Sequence, residues 1–249
     1  MLKREAIESA ARLLVEARRK STPLEALPEP CRPADEADAY AIQDAVARQL
    51  GAIHGWKVGA PTPEAAPSYA PIFTFVEAPA RFPSAAHRLF GIEAEIAFRF
   101  ARDLPGGGSR EVVLAAVGSV HLAMEIVESR FADFRTVDQA SVVADNISNG
   151  ALVLGPALAD WQRRDLARPP SRVVIDGAEA GRCTTGNTGG DPVRLLVALA
   201  NHAAARGKPI AAGQVVTTGA TTGMHFARPG SLARAEFGDC GNVDTSFTA

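Results

Sequence analysis

FGIEAEIAFRF, residues 90–100, alternates without a break: Ile92, Ala94, Ile96, Phe98 and Phe100 take one parity, and Glu93, Glu95, Ala97 and Arg99 the other. A period of two over this length predicts a β-strand with one apolar face for a core. Side chains two apart in a strand leave the same face, so Glu93 and Glu95 project together, opposite the apolar side. Two carboxylates this close repel unless water or a cation separates them, and a hard divalent ion with oxygen ligands is an economical solution. The plain alternative is a solvated strand face.

Outward from this strand the texture is strand-rich. Residues 111–117 read as a short helix, and VHLAMEIV (120–127), ALVLG (151–155), RVVIDG (172–177), QVVTTGA (214–220), SLARAEFG (231–238) and NVDTSF (242–247) as strands bounded by turn residues. Upstream, GWKVG (55–59) and PIFTFVEAPARF (71–82) are short apolar runs broken by Gly and Pro. DPVRLLVALANHAAAR (191–206) is an amphipathic helix with Asp191 as N-cap, Pro192 at its first position and Gly207 as its stop. Residues 3–19 form another, and a loop with four prolines (21–34) separates it from a helix running from Asp35 to Gly51. Strands outnumber helices in the later part and do not alternate with them, against a TIM barrel or a Rossmann sheet. The expectation is an α+β protein: an N-terminal helical segment, 1–51, followed by a mixed β-roll or barrel domain, 52–249.

Composition narrows the function. The 249 residues are 47% hydrophobic and 22% charged, with 26 basic against 28 acidic side chains and a net charge of −2, which is ordinary for a globular domain. That balance lacks a nucleic-acid footprint. The first twenty residues carry charges throughout, so they read as no secretory signal, and no apolar stretch is long enough to span a bilayer; the expectation is a soluble, cytoplasmic protein. Cys31, Cys183 and Cys240 are odd in number and far apart, which argues against disulfides or a zinc site.

Phosphate loops, nucleophile elbows and His-based metal motifs are absent, and the five histidines show no ligand spacing. Candidate chemistry therefore rests on carboxylates and one lysine. Glu125 and Glu128 interrupt the apolar segment MEIVESR (124–130), and a glutamate between Met124 and Ile126 calls for a partner ion or an Arg. Only four lysines occur; Lys57, inside GWKVG, is flanked by apolar residues that would lower its pKa toward proton transfer, unless it pairs with a carboxylate. Asp145 and Asn146 in ADNISNG (144–150) are candidate substrate-binding residues of a polar site loop, and Thr218 and Thr221 in TTGATTG (217–223) are candidates for holding a substrate carboxylate; both stretches also suit plain turns.

In order along residues 35–249, AYAIQDAV (39–46), GWKVG (55–59), IEAEIAF (92–98), MEIVESR (124–130), ADNISNGALVLG (144–155) and GQVVTTGA (213–220) resemble the fumarylacetoacetate hydrolase superfamily, in its branch of 2-keto-4-pentenoate hydratase-like hydratases and decarboxylases. The resemblance implies a mixed β-roll preceded by helices, homo-oligomers, and Mg²⁺ or Mn²⁺ held by Glu93, Glu95 and Glu125, with Lys57 beside a small 2-oxo acid. The implied activity is hydration of a 2-hydroxydienoic or 2-oxo-enoic acid in aromatic catabolism. The alternatives are decarboxylation of a 2-oxo acid by a 4-oxalocrotonate decarboxylase-like enzyme, and an inactive subunit complexed with a paralogous hydratase or decarboxylase. One departure follows GWKVG: the family continues to a Pro-Asp-x-Gly element, whereas APTPEAAPSYAPIF (60–73) has no aspartate, leaving Glu64 or Glu77 to supply an acid. No His-Glu pair of the C–C hydrolase type is found.

Overall fold

Capping chemistry sets the helix ends close to where periodicity predicts them. In the computed structural model, which describes residues 1–249, α1 spans Arg4–Lys20 and α2 Glu36–Leu50. The Asp35 carboxylate accepts from the Asp38 N–H at 2.8 Å to open α2. Arg18, Arg19 and Lys20 close α1 at the negative end of its dipole. Two short helices follow, α3 (Arg110–Ala116) and α4 (Gln139–Ala144). Helix α5 (Pro192–Ala205) begins with the Asp191 carboxylate accepting from the Val193 N–H at 2.9 Å.

The strands are β1 (Gly55–Gly59), β2 (Ser68–Ile72), β3 (Phe75–Glu77), β4 (Ala80–Phe82), β5 (Gly91–Phe100), β6 (Val117–Val127) and β7 (Asn149–Ala157). After these come β8 (Arg172–Ile175), β9 (Ala178–Arg182), β10 (Val215–Thr217), β11 (His225–Phe226), β12 (Leu232–Glu236) and β13 (Asn242–Phe247). They build two mixed sheets, the larger in the order β2-β1-β10-β5-β6-β7-β3 with β11 also on β5, the smaller in the order β4-β13-β12-β8-β9. The architecture is α+β with a curled half-barrel, as expected. The run 71–82 differs from its single-textured reading. It divides into the end of β2, β3 at the far edge of the same sheet, and β4 in the other sheet.

Strand parity gives the large sheet two unlike faces. Ile92, Ala94, Ile96 and Phe98 of β5, Leu122 and Met124 of β6, and Trp56 and Val58 of β1 join one apolar core with Leu14 of α1, Ile42 of α2, Leu196 of α5 and Val243 of the small sheet. The N-terminal helices thus share their core with the sheets. The opposite parity carries Glu93, Glu95 and Glu125, and beside them on the same face a separate small apolar cluster of Ile72, Ala97, Ala123, Leu152, Leu154 and Val215. Ala123 is the cross-strand partner of Glu95 and Leu152 that of Glu125, so this cluster borders the charged groups.

One glycine sets the position of Lys57. The parallel pairing of β1 with β10 puts Lys57 opposite Thr217, and a Cβ on Gly55 would lie 2.2 Å from the Val215 carbonyl oxygen, so only glycine lets β10 approach there. No helix is long and apolar enough to cross a membrane.

Candidate functional site

The β5/β6 register sets Glu93 directly opposite Glu125, with Glu95 two residues along the same face. One ligand oxygen from each of the three carboxylates lies within 4.8 Å of the others. Glu125 is fully buried, Glu95 almost so, and Glu93 half-buried. Like charges across a strand pair repel, and burial removes the water that would screen them. Burial, then Glu125, pushes the Glu93 carboxyl up to about 7. Burial, followed by Glu125 and Glu93, raises Glu95 well above the ordinary carboxylate range.

Lys57 joins this group from β1. Its Nζ donates to Glu125 Oε1 at 2.6 Å and to the Ile147 carbonyl at 3.1 Å. Its titration runs opposite to the expectation from its apolar sequence neighbours. Burial pulls the ammonium down, but Glu125 foremost, with Glu93 and Glu95, outweighs that and raises it. The direction follows from strand parity: its sequence neighbours face the main core while its own side chain faces the acidic side.

The Ile147 carbonyl reaches Lys57 through an unusual turn. Asn146, Ile147 and Ser148 follow one another at φ 53°, 50° and 55°, a left-handed run without a glycine. Each such residue costs roughly 1–2 kcal/mol, and a β-branched one is a genuine outlier. Arg130 clamps both ends of the run. Its Nε donates to Asp145 Oδ1, one terminal nitrogen to the Asp145 carbonyl, and the other to the Asn149 carbonyl at 2.8 Å. The Arg18 guanidinium of α1 also donates to the Asn149 carbonyl. Asp145 Oδ2 accepts from Ser129 Oγ and the Arg130 N–H, both at 3.0 Å.

The remaining candidates divide accordingly. The structure spends Asp145 on the Arg130 clamp and does not bring it to the carboxylate group. Asn146 stands in the strained turn with its Oδ1 unpartnered. Thr218 Oγ1 donates to the Ile96 carbonyl at 3.2 Å and Thr221 Oγ1 to the Ala94 carbonyl at 2.9 Å, so both hold their loop against β5 and neither meets a carboxylate. Glu128 is occupied by the Arg88 and Leu89 N–H groups, at 2.8 and 3.0 Å. Glu64 and Glu77 are exposed, the latter 3.8 Å from Arg99, and neither belongs to the group of three carboxylates.

Three contributors escaped the sequence reading. Thr217 Oγ1 donates to Glu95 Oε2, which also accepts the Gly219 N–H at 3.1 Å. Asn149 Nδ2 donates to Glu125 Oε1 at 3.0 Å. Thr217 and Gly219 lie within TTGATTG and Asn149 within ADNISNG, stretches marked in the sequence for other residues; separating Thr217, which faces the carboxylates, from the buried Thr218, which faces away from them, takes the register of β10 against β5.

A hard divalent cation fits these residues. The donors are all carboxylate oxygens, Glu125 Oε2 is buried with no hydrogen-bond partner, and the Ser148 hydroxyl and the Asn146 and Asn149 amide oxygens are also left unpaired. Histidine and thiolate, which zinc prefers, play no part in the group.

A curled sheet that gathers three buried carboxylates and one lysine on the face opposite the main core belongs to the α+β folds with an acid-lined site that could hold a cation. The model of the fumarylacetoacetate (FAA) hydrolase C-terminal family matches residues 49–248, and the chain belongs to that family. It is 33% identical over 159 residues to a 4-oxalocrotonate decarboxylase of a Pseudomonas species, a match covering 63% of this chain and 60% of that protein. It is 35% identical over 157 residues to a 2-hydroxyhexa-2,4-dienoate hydratase of Comamonas testosteroni, covering 63% of this chain and 59% of the relative. The chain thus spans about three fifths of the length of these curated relatives. The solved structure of 4-oxalocrotonate decarboxylase from Pseudomonas putida G7, complexed with magnesium and adipate, superposes with a TM-score of 0.88 at 25% identity over 99% of both chains.

Two outcomes follow. Asp145→Ala leaves Arg130 buried without its counter-charge and lowers unfolding stability by about 3–5 kcal/mol, read from the urea midpoint; a loss below about 1 kcal/mol would remove the clamp from the fold's support. The second concerns pH. Glu93 releases its proton near 4.5 when unfolded but only near 7 when folded, so the stability this group contributes is full below pH 4.5 and lost as pH rises to about 7. In chelated protein the wild type therefore falls in stability relative to Glu93→Gln across that window, and a parallel pH dependence of the two would contradict the assignment.

Proposed function

We propose that this chain is a divalent-metal-dependent lyase that adds water to a 2-hydroxydienoic or 2-oxo-enoic acid. The observation that carries this reading is the buried group of Glu93, Glu95 and Glu125, with Glu125 Oε2 unpartnered and the Lys57 ammonium alongside. Glu93, Glu95 and Glu125 would hold Mg²⁺ or Mn²⁺. Such an ion would supply positive charge against the negative charge that develops on the substrate's 2-oxygen.

The chain's own residues do the rest. An ammonium has three N–H bonds, and Lys57 spends two of them on Glu125 and Ile147, which leaves the third for a bound acid. The raised affinity of Lys57 for its proton suits it to hold that proton and to stabilise an enolate by hydrogen bonding. The apolar neighbours Ala123 and Leu152, set opposite Glu95 and Glu125, lower the local dielectric and so strengthen the charge interactions beside them. The Asn146 Nδ2 amide and the unpaired Ser148 hydroxyl would be the groups able to donate to the substrate's own oxygens. We place the enzyme in the cytoplasm as a homo-oligomer.

A second reading, decarboxylation, is favoured by the close superposition on the 4-oxalocrotonate decarboxylase. It uses the same residues through the enolate and differs in losing CO₂ instead of gaining water. Thermal shift with Mg²⁺ or Mn²⁺ and oxalate as an enolate mimic tests the site first. A ligand at a hundred times its Kd stabilises by about 2.7 kcal/mol, and Glu93→Ala is expected to abolish the shift. The ultraviolet decay of 2-hydroxydienoates, with and without CO₂ release, then separates the two reactions. No shift in the wild type would sink the enzyme reading and leave that of a partner subunit.

A further inference from the structure

The hydrogen bonds around the carboxylates are unevenly shared between their oxygens. Glu125 Oε1 accepts from both Lys57 Nζ, at 2.6 Å, and Asn149 Nδ2, at 3.0 Å, whereas Glu125 Oε2 accepts from nothing. Glu95 repeats the pattern, with Oε2 accepting from Thr217 Oγ1 and from the Gly219 N–H at 3.1 Å. Each of these two carboxylates is therefore held by two donors on one oxygen and has a single oxygen left over. The donors are themselves fixed. Asn149 is locked through its carbonyl by Arg130 and Arg18, Lys57 is steadied by the Ile147 carbonyl, and Thr217 lies in β10 between β1 and β5.

We infer that Thr217 and Asn149 are positioning residues that make the site select among divalent cations, by restricting Glu95 and Glu125 to one ligand oxygen each. The inference rests on the proposed metal site. Ca²⁺ takes 6–8 oxygens and readily uses carboxylates through both, whereas Mg²⁺ keeps a small octahedral shell, part of it water, and needs only single oxygens from the protein. A carboxylate tied at one oxygen by two donors cannot swing to offer both. The arrangement therefore disfavours Ca²⁺ relative to Mg²⁺ and Mn²⁺, and removing a tie returns the second oxygen to the larger ion.

The test is competition for the site, read without catalysis. Bound Mn²⁺ is followed by its electron paramagnetic resonance signal while Mg²⁺ or Ca²⁺ displaces it, giving the ratio of Ca²⁺ to Mg²⁺ dissociation constants for each protein. Thr217→Val, nearly isosteric, and Asn149→Ala are each expected to lower that ratio about tenfold, the scale of one charge-assisted hydrogen bond. Thr217→Ser, which keeps the hydroxyl, is expected to restore the wild-type ratio. If the variants weaken both ions in proportion, the side chains support the fold only and the selection claim fails. If the wild type binds no Mn²⁺ at all, the metal site itself fails, a separate outcome that overturns the inference with it.

Discussion

Three carboxylates meet on one face of the large sheet, beside a small apolar cluster, and the rest of the structure answers to their mutual repulsion. Removing even one such ion from water carries a penalty of several kcal/mol, and directly opposed like charges add to it. The fold offsets this in two ways: Lys57 supplies one counter-charge, and Thr217, Asn149 and the Gly219 N–H donate to chosen oxygens, while the remaining repulsion and burial raise the affinity of Glu93 and Glu95 for protons. A divalent cation answers the same repulsion and also meets the Glu125 oxygen that the chain leaves without a donor.

The support for this group extends through the sheet. Arg130 holds Asp145 and Asn149 at the two ends of a left-handed turn, the turn aims the Ile147 carbonyl at Lys57, and Asn149 reaches Glu125 from the other end of the same turn. Backbone strain of this kind persists only where its surroundings over-determine it. The buried ion pair supplies that constraint, and Arg18 ties α1 to the same carbonyl. The N-terminal helix is thereby coupled to the site although no residue of it faces the carboxylates.

Much of this was legible in the amino-acid order, for identifiable reasons. The parity of residues 90–100 marks Glu93 and Glu95 as neighbours on a face opposite the core, and a glutamate within an apolar run marks Glu125 as needing a partner. Helix ends followed from Asp35, Asp191 and Gly51, whose capping roles are local. What depended on register or on long-range pairing was hidden. The choice between Thr217 and Thr218 needs the position of β10 against β5, and the direction of the Lys57 shift needs three carboxylates distant in sequence. Asp145 read as a site residue because its loop is polar. Its counter-charge, Arg130, lies fifteen positions earlier in a motif read for its glutamates.

Anomalous diffraction from a crystal loaded with Mn²⁺ tests the central property of this site most directly. A single strong peak within bonding distance of Glu93, Glu95 and the unpartnered Glu125 Oε2, with Glu125 Oε1 still held by Lys57 or Asn149, is the predicted result. A peak elsewhere on the surface, or no peak beside the three carboxylates, would contradict it.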